Sequence, residues 1–590
     1  MAADQQINLP RLTICSLPGT ITAMPDAVAR PKSETNVKET IESILVAFIL
    51  AFIFRAFVIE AFVIPTGSMA PTLLGAHMNL RCPDCGYGFD VGYGVSDDPS
   101  YRVPEYAAVP MTGEPKIYSL FCPNCGFRLP PELPSDRAND ATAPSVRYGD
   151  RILVMKYLYL LQNPRRWDVV VFKSPRTDNE DYSVNYIKRL VGLPGERMFL
   201  AHGDLYVAPP SDKPREAWTA EEFVVQPKTR WAQDALWRIV FNGDYVPIRL
   251  PRSYQDSRRP PRRQDDPAWQ PPWQQSSGSG WFHDDPSKNV TAREWLFDNR
   301  NSAGALSFNP AANKNASSLT DWLAYDQSEG QGGTADTLLA PPIGASFSVA
   351  DLKLSFFVNG LEGDGTLRAV VGKESDDGNV AFVAELSANQ VRLIKRTAAG
   401  EEVIGSQPMS LTGLHHVSLE NVDYRVTLRI DDKEVFVTTP QQYKPDIAGV
   451  IASVSSSPQG YALFEGDRVQ ARISHLQLWR DIYYRDRGQR RATINIKEQN
   501  GVAAVDFNGV VQLAEEQFFV LGDNSALSAD GREWSNDIAL EDEGLFTPAG
   551  IVPDRFMLGK AFFVYWPAGY RPTEGLPPIV PNFGQMRFIR

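Results

Sequence analysis

From Ile41 the chain reads IESILVAFILAFIFRAFVIEAFVI, in which Ile44 to Phe54 is an uninterrupted apolar run. About 20 apolar residues cross a bilayer at 1.5 Å rise each. The run therefore predicts a transmembrane helix over 41–61, with Arg55 and Glu60 near its far end, where long side chains can snorkel. Forty residues precede it, late for a secretory leader, and no small-residue cleavage site follows it. Residues 1–40 are polar, carry Pro10, Pro18, Pro25 and Pro31, and read as a flexible tail. Arg30, Lys32 and Lys38 assign that tail to the cytoplasmic side, so that everything after residue 64 is extracytoplasmic.

Beyond residue 64 the apolar period changes to that of strands. RILVMKYLYL, DVVVFKS and NYIKRLVGL are rich in β-branched and aromatic residues and end at turn signals such as Asn163-Pro164, Ser174-Pro175 and Pro194-Gly195. Residues 211–280 read as linker or long loops, most clearly in the Pro-rich and Ser/Gly-rich text of 250–280. After them LKLSFFVNG, VAFVAEL, VRLIKR, HHVSLE, YRVTLRIDDKEVFV and ISHLQLW follow one another with turn residues between. In YRVTLRI, Val426, Leu428 and Ile430 alternate with Arg425, Thr427 and Arg429, as a half-buried strand requires. Residues 281–485 are thus a second β domain, a sandwich.

Composition fits a folded chain: of 590 residues, 43% are apolar and 22% charged. A formal charge of -12 excludes general electrostatic attraction to nucleic acid or an anionic lipid surface. Five cysteines are too few for a disulfide scaffold. Four of them form two knuckles, CPDCGYGF and CPNCGFRL, and Cys15 has no evident partner or role. Thiolates from Cys82, Cys85, Cys122 and Cys125 suit tetrahedral zinc, with disulfides as the alternative in an oxidising compartment. Residues 86–121 carry Asp90, Asp97, Asp98, Glu105 and Glu114 against Arg102 and Lys116, which favours a structural or protein-docking ribbon over a nucleic-acid reader.

Three stretches carry candidate chemistry. In FVIPTGSMAPTLLG, Pro65 and Gly67 flank a turn exposing Ser68, and Phe62, Val63 and Ile64 are candidates to line a groove beside it. A nucleophilic serine needs a base, and the six histidines, most of them in segments outside these stretches, give a Ser-His-Asp triad little support. Lysine is the alternative. NYIKRLVGLPGE places Lys188 in an apolar strand, and desolvation favours the neutral amine that can accept the serine proton. FFVLGDNSALSADGREW then supplies Asp523, Asn524, Ser528, Asp530 and Arg532 after a buried-looking strand.

In this order, PTGSMAPTL, RWDVVVF, YIKRLVGLPGE and GDNSALSADGR resemble the boxes of bacterial type I signal peptidases, membrane-bound serine proteases that remove signal peptides from exported proteins. The resemblance covers about 41–81, 147–207 and 510–566, where GKAFFVYWP looks like a closing strand. It implies a mainly antiparallel β catalytic core behind one N-terminal transmembrane helix. It implies Ser68 as nucleophile, Lys188 as general base, and the Ser68 amide with the Thr66 hydroxyl as the oxyanion hole. Ser528 matches the residue that orients the lysine, and Asp523, Asp530 and Arg532 match a supporting ionic network. Met69 matches a packing residue beside the nucleophile. Three positions depart from the family pattern: Ser525 stands where Arg is usual, Gly531 where Ser is usual and Ser535 where Gly is usual. The first departure implies a weakened network around Asp523.

The expected organisation is a tail (1–40), the transmembrane helix (41–61), core segments at 62–81, 147–210 and 486–590, a zinc ribbon at 82–130, a linker at 131–146 and the sandwich at 281–485. The sandwich resembles concanavalin-like jelly rolls of laminin G and lectin modules, implying a glycan or protein ligand. ESDDGNV and IDDKEV read as solvated hairpin turns, with calcium loops as the alternative. Catalysis needs no cofactor in this reading; the partners are signal peptides of preproteins and membrane lipid, not nucleic acid, and the location is the inner membrane. Soluble self-cleaving repressors share the Ser-Lys fold but lack an anchor. A catalytically silent, anchored binding or adhesion module is the rival reading.

Overall fold

The computed structural model of the chain describes residues 37–92, 120–129, 146–175, 184–247, 269–276, 280–283, 293–313, 316–328, 346–375, 378–454, 456–485, 492–499, 502–540, 544–567, 569, 580 and 582–590. Most of the expected tail, the linker over 131–146 except its last residue, and the Pro-rich text of 250–268 lie outside them. The apolar run forms the helix Val37–Phe57. A helix is observed where one is predicted, but a membrane span is not: among the described residues no helix is long and apolar enough to cross a membrane.

From Ala56 onward the chain is one compact unit, mainly β. Its first sheet gathers three distant parts of the sequence, in the order Ile59–Val63, Arg151–Met155, Met557–Trp566, Val169–Lys173, Asn185–Gly192, Gln517–Leu521 and Val552–Pro553, with Arg587–Phe588 beside Met557–Trp566. The β-branched and aromatic runs read from the sequence form these strands, and the central ones are buried on both faces. Val169 to Phe172 are all buried, and the strand Asn185–Gly192 lies between Val169–Lys173 and Gln517–Leu521, so Lys188 and Arg189 are drawn inside with their apolar neighbours. Ile64 is buried while Val63 is exposed, so the three residues expected to line a groove do not share one face. A smaller sheet, Val224–Val225, Asp204–Ala208, Arg197–Ala201 and Val511–Gln512, packs Phe199 and Tyr206 against Phe223 and Phe507.

Residues 211–280 are not simply a linker. Thr229 caps the helix Arg230–Leu236, its hydroxyl accepting from the Ala232 amide. Arg238–Asn242 then pairs with Gln459–Arg480, and Trp218, Phe223, Trp237, Trp269 and Trp273 are buried. Sparse aliphatics concealed this, because aromatics supply the buried area instead.

The largest sheet has 13 strands and is organised on the 22-residue strand Gln459–Arg480, which pairs with Trp295–Phe308, Leu352–Glu362, Thr366–Glu374 and Arg238–Asn242. Asp431 and Asp432 sit at positive φ (50° and 63°) in the hairpin after Arg425–Ile430, as their turn chemistry predicts. Cys82, Phe89, Cys122 and Phe127 share one apolar core with Val240, Trp273 and Phe356. The cysteine knuckles and the 13-stranded sheet therefore share one apolar core rather than standing apart.

Candidate active site and cysteine cluster

The residues singled out by sequence converge on one end of the first sheet. After Ile59–Val63, the Ile64 amide donates to Asp150 O (2.9 Å), Thr66 stays extended, and Gly67–Met69 forms a single 3-10 turn closed by the Ala70 amide on Gly67 O. Met69 is fully buried against Leu73, Ile152, Val154 and Val169, which anchors the turn and leaves Ser68 half-buried at its apex. Lys188 Nζ lies 2.7 Å from Ser68 Oγ, a hydrogen bond between residues 120 apart in sequence. Lys188 is 5% exposed and its amine sits 5.8 Å from the Tyr186 ring centroid.

The loop after Gln517–Leu521 closes the other side. The Asn524 amide donates to Ser68 O (3.1 Å), and Asn524 O accepts from the Ser528 amide (2.9 Å). Gly522 is obligatory here, since a Cβ would stand 2.1 Å from Ser528 Oγ and 2.5 Å from Ser68 O. Arg532 holds both oxygens of Asp530 (2.8 and 2.7 Å), and the Gly522 amide adds a third bond at 2.9 Å. Burial alone would raise the Asp530 pKa, but Arg532 and that amide outweigh it and hold the carboxyl below its ordinary value.

Two expectations are corrected. Asp523 is not left with a weakened network: Arg189 binds it bidentately (2.7 and 2.6 Å), both side chains being fully buried. Burial pushes the Asp523 carboxyl up and the Arg189 charge pulls it further down, leaving it below the usual range. Arg189 also donates to the carbonyls of Trp167 and Arg590. Sequence reasoning missed it although the signal was present, because adjacent strand residues point to opposite faces and two cations in one apolar strand each need a partner. Secondly, Ser528 lies buried beside Gly522, but its hydroxyl has no hydrogen-bond partner among the described residues, so it does not bond the lysine it was expected to orient.

The departures from the family pattern have local causes. Ser525 Oγ accepts from the Arg485 amide (2.8 Å) and from Arg532 Nη1 (2.9 Å), so the chain returning from the sandwich occupies its neighbourhood. At Gly531 a Cβ would meet Gly550 O at 2.7 Å. Ser535 is exposed. Thr66 is half-buried beside Ser68 and makes no capping bond.

The chain matches the signal peptidase family, peptidase S26. The match covers residues 37–81, 134–247 and 463–566. It thus includes both members of the hydrogen-bonded pair and the closing loop, and omits the cysteine knuckles after residue 81 and most of the sandwich. Signal peptidase I of Buchnera aphidicola is 36% identical over 12% of this chain and 24% of its own length. Probable signal peptidase I-2 of Synechocystis is 32% identical over 11% of the chain and 30% of its own. Signal peptidase I of Rickettsia typhi is 40% identical over 11% and 22% respectively. The chain therefore matches about a quarter of the length of these relatives. Among solved structures, a carbohydrate-binding module, CBM66 from Bacillus subtilis, is 10% identical with a TM-score of 0.20 over 35% of this chain and 93% of that one, too low a likeness to support any argument.

Away from this site, Cys82, Cys85, Cys122 and Cys125 are all buried, with sulfurs within 4.8 Å of one another. The two knuckles are built alike: the amides of Gly86 and Gly126 donate to Cys82 O and Cys122 O, and both glycines take positive φ. Sulfur separations of 3.7 Å link Cys82 with Cys125 and Cys85 with Cys122. A disulfide needs about 2.05 Å, so the cluster is compatible with a structural metal.

Proposed function

We propose that this chain is a membrane-anchored signal peptidase I that cleaves signal peptides from exported preproteins with a Ser-Lys dyad. The observation that supports this reading best is the 2.7 Å contact between Lys188 Nζ and Ser68 Oγ. In this reading the neutral Lys188 amine takes the Ser68 proton as Oγ attacks the scissile carbonyl. The negative oxygen is met by the Ser68 amide and the Thr66 hydroxyl, donors of a kind each worth about 2.7 to 4 kcal/mol when preorganised. Lys188 then protonates the leaving amine; the neutral lysine next takes a proton from water as its oxygen attacks the acyl carbonyl, and returns it to Ser68 Oγ as the ester bond breaks and the acid leaves. Asp523, Asp530 and Arg532, with Arg189, hold the closing loop rigid.

The anchor is the helix Val37–Phe57, whose Ile44, Leu45, Phe48, Ile49, Leu50 and Phe52 side chains are exposed and apolar. Its position shortly before Ser68 in sequence suits a substrate whose own apolar segment is still in the bilayer. The catalytic unit then lies outside the inner membrane, and the sandwich takes a glycan or protein ligand. Zinc suits the cysteine cluster: with Zn–S bonds of about 2.3 Å a tetrahedron has edges of about 3.8 Å, against the 3.7 Å seen. The four thiolates would hold the metal as a structural clamp, apart from the chemistry.

Incubating the purified full-length protein, Ser68→Ala and Lys188→Ala with a preprotein tests the proposal. Cleavage by wild type alone is expected. Equal cleavage by all three rules the dyad out, and cleavage by none leaves the silent binding module as the better account.

A further inference from the structure

The turn Ala324–Ser328 belongs to the sandwich region, outside every segment that matches the peptidase family, yet it is wedged against the Ser68 turn. Tyr325 is 3% exposed and packs with Ala70 and Leu74. Its ring fills the space left by two glycines: a Cβ on Gly67 would stand 2.4 Å from Tyr325 Cε1, and one on Gly92 would stand 2.5 Å from the same atom. Asp326, 6% exposed, accepts a hydrogen bond from Asn524 Nδ2 at 2.7 Å. Asn524 is fully buried, and its amide in turn holds Ser68 O at 3.1 Å. The turn is fastened on either side: Gln327 bonds both the amide and the carbonyl of Phe121, next to Cys122, and Asp321 accepts from Arg485 Nε at 2.6 Å.

From this we infer that Tyr325 and Asp326 are positioning residues for the Ser68 turn, so that the inserted region completes the active site instead of merely decorating it. The inference rests on the dyad reading above. The physical reason is the freedom of Gly67. A glycine next to the nucleophile lets the Gly67–Ser68 peptide rotate, which carries the N–H offered to the oxyanion, and the following peptide carries the Ser68 carbonyl bonded to Asn524. The Tyr325 ring removes the space for rotation, and Asp326 fixes the orientation of Asn524, whose amide sets the direction of the Ser68 carbonyl. Misplacing a reacting group by about 1 Å costs up to about a hundredfold in rate, without any change in the reacting residues. The influence therefore falls on the chemical step more than on substrate binding.

The test uses full-length protein in detergent with a preprotein substrate, measuring kcat and KM for wild type, Asp326→Leu, Asp326→Asn, Tyr325→Ala and Tyr325→Phe, with far-UV circular dichroism and thermal melts to normalise to folded protein. Asp326→Leu and Tyr325→Ala are expected to lower kcat by at least about tenfold with KM within about twofold. Asp326→Asn, whose amide oxygen accepts the same bond, and Tyr325→Phe, which keeps the ring, are expected to stay within about threefold of wild type. A merely structural role would not produce that rescue. Unchanged kcat in Asp326→Leu and Tyr325→Ala, equal loss in the Leu and Asn variants, or a change confined to KM overturns the inference while leaving the dyad intact. Absence of cleavage by wild type overturns both.

Discussion

Arg189→Met removes one member of a fully buried ion pair without touching Ser68 or Lys188. Two charge-assisted bonds to Asp523 are lost, together with those to Trp167 O and Arg590 O, and Asp523 remains in place with no cation bonded to it. Breaking a buried pair in this way costs about 3 to 5 kcal/mol; since the Thr72 hydroxyl and the more distant Arg238 charge also favour the Asp523 carboxylate, the lower end applies. A loss of about 3 kcal/mol corresponds to amide hydrogen exchange about a hundredfold faster in the strand Asn185–Gly192. In the wild type the Asp523 pKa is depressed, so its contribution is complete above the unfolded value near 4 and is lost as pH falls through the folded value. In the variant the unpaired carboxyl is pushed up instead, and its penalty is greatest at neutral pH. The gap between the two proteins should therefore narrow as pH drops from 7.5 toward 4.5. Replacing both partners, Arg189→Met with Asp523→Leu, should recover most of the loss at pH 7.5, since two apolar side chains leave no buried charge. A gap that does not depend on pH, or a double variant no better than the single one, refutes the reasoning.

Ser528→Ala removes a buried hydroxyl with no hydrogen-bond partner among the described residues, so unfolding by denaturant should show unchanged or slightly increased stability, by up to about 1 kcal/mol. Metal analysis should find one zinc per chain, and Cys122→Ser should abolish it while loosening the shared apolar core, detected as faster proteolysis of the ribbon; two disulfides and no zinc would end that account. Asp204 is buried beside Asp351, and burial with that neighbouring charge raises its pKa well above the ordinary value. The folded state then holds a proton that the unfolded state loses above pH about 4, so stability declines as pH rises from there toward the folded value. Asp204→Asn, which cannot ionise, should be more stable than wild type at pH 7 and equal to it near pH 4 in matched melts. Gly67→Ala should be poorly folded on its own, since the new methyl meets the Tyr325 ring, and should regain solubility when combined with Tyr325→Ala.

Much of the site was legible in the linear text because its chemistry demands unusual local patterns. A serine in a Pro-Thr-Gly turn, a lysine inside an apolar strand and an Asp-x-Arg loop after a third strand each announce a polar group held against apolar surroundings, and the structure brings Ser68 and Lys188 together and pairs Asp530 with Arg532. The paired knuckles were equally visible, since two identical Cys-Pro-x-Cys-Gly repeats have few uses other than a shared cluster. What the chain alone could not reveal is which distant groups complete each one. Arg189 could have been paired with any of many acids until the register Leu521↔Arg189 carried it to Asp523. Tyr325 and Asp326 lie in a region with no motif, and only the packing of that turn between Phe121 and Asn524 sets them against Ser68. Local sequence determined the reactive groups and the strands that bear them, because propensity and burial act over a few residues. Tertiary structure alone decided their partners, because a hydrogen bond across hundreds of residues depends on the exact closure of the sheets and leaves no periodic trace in the chain.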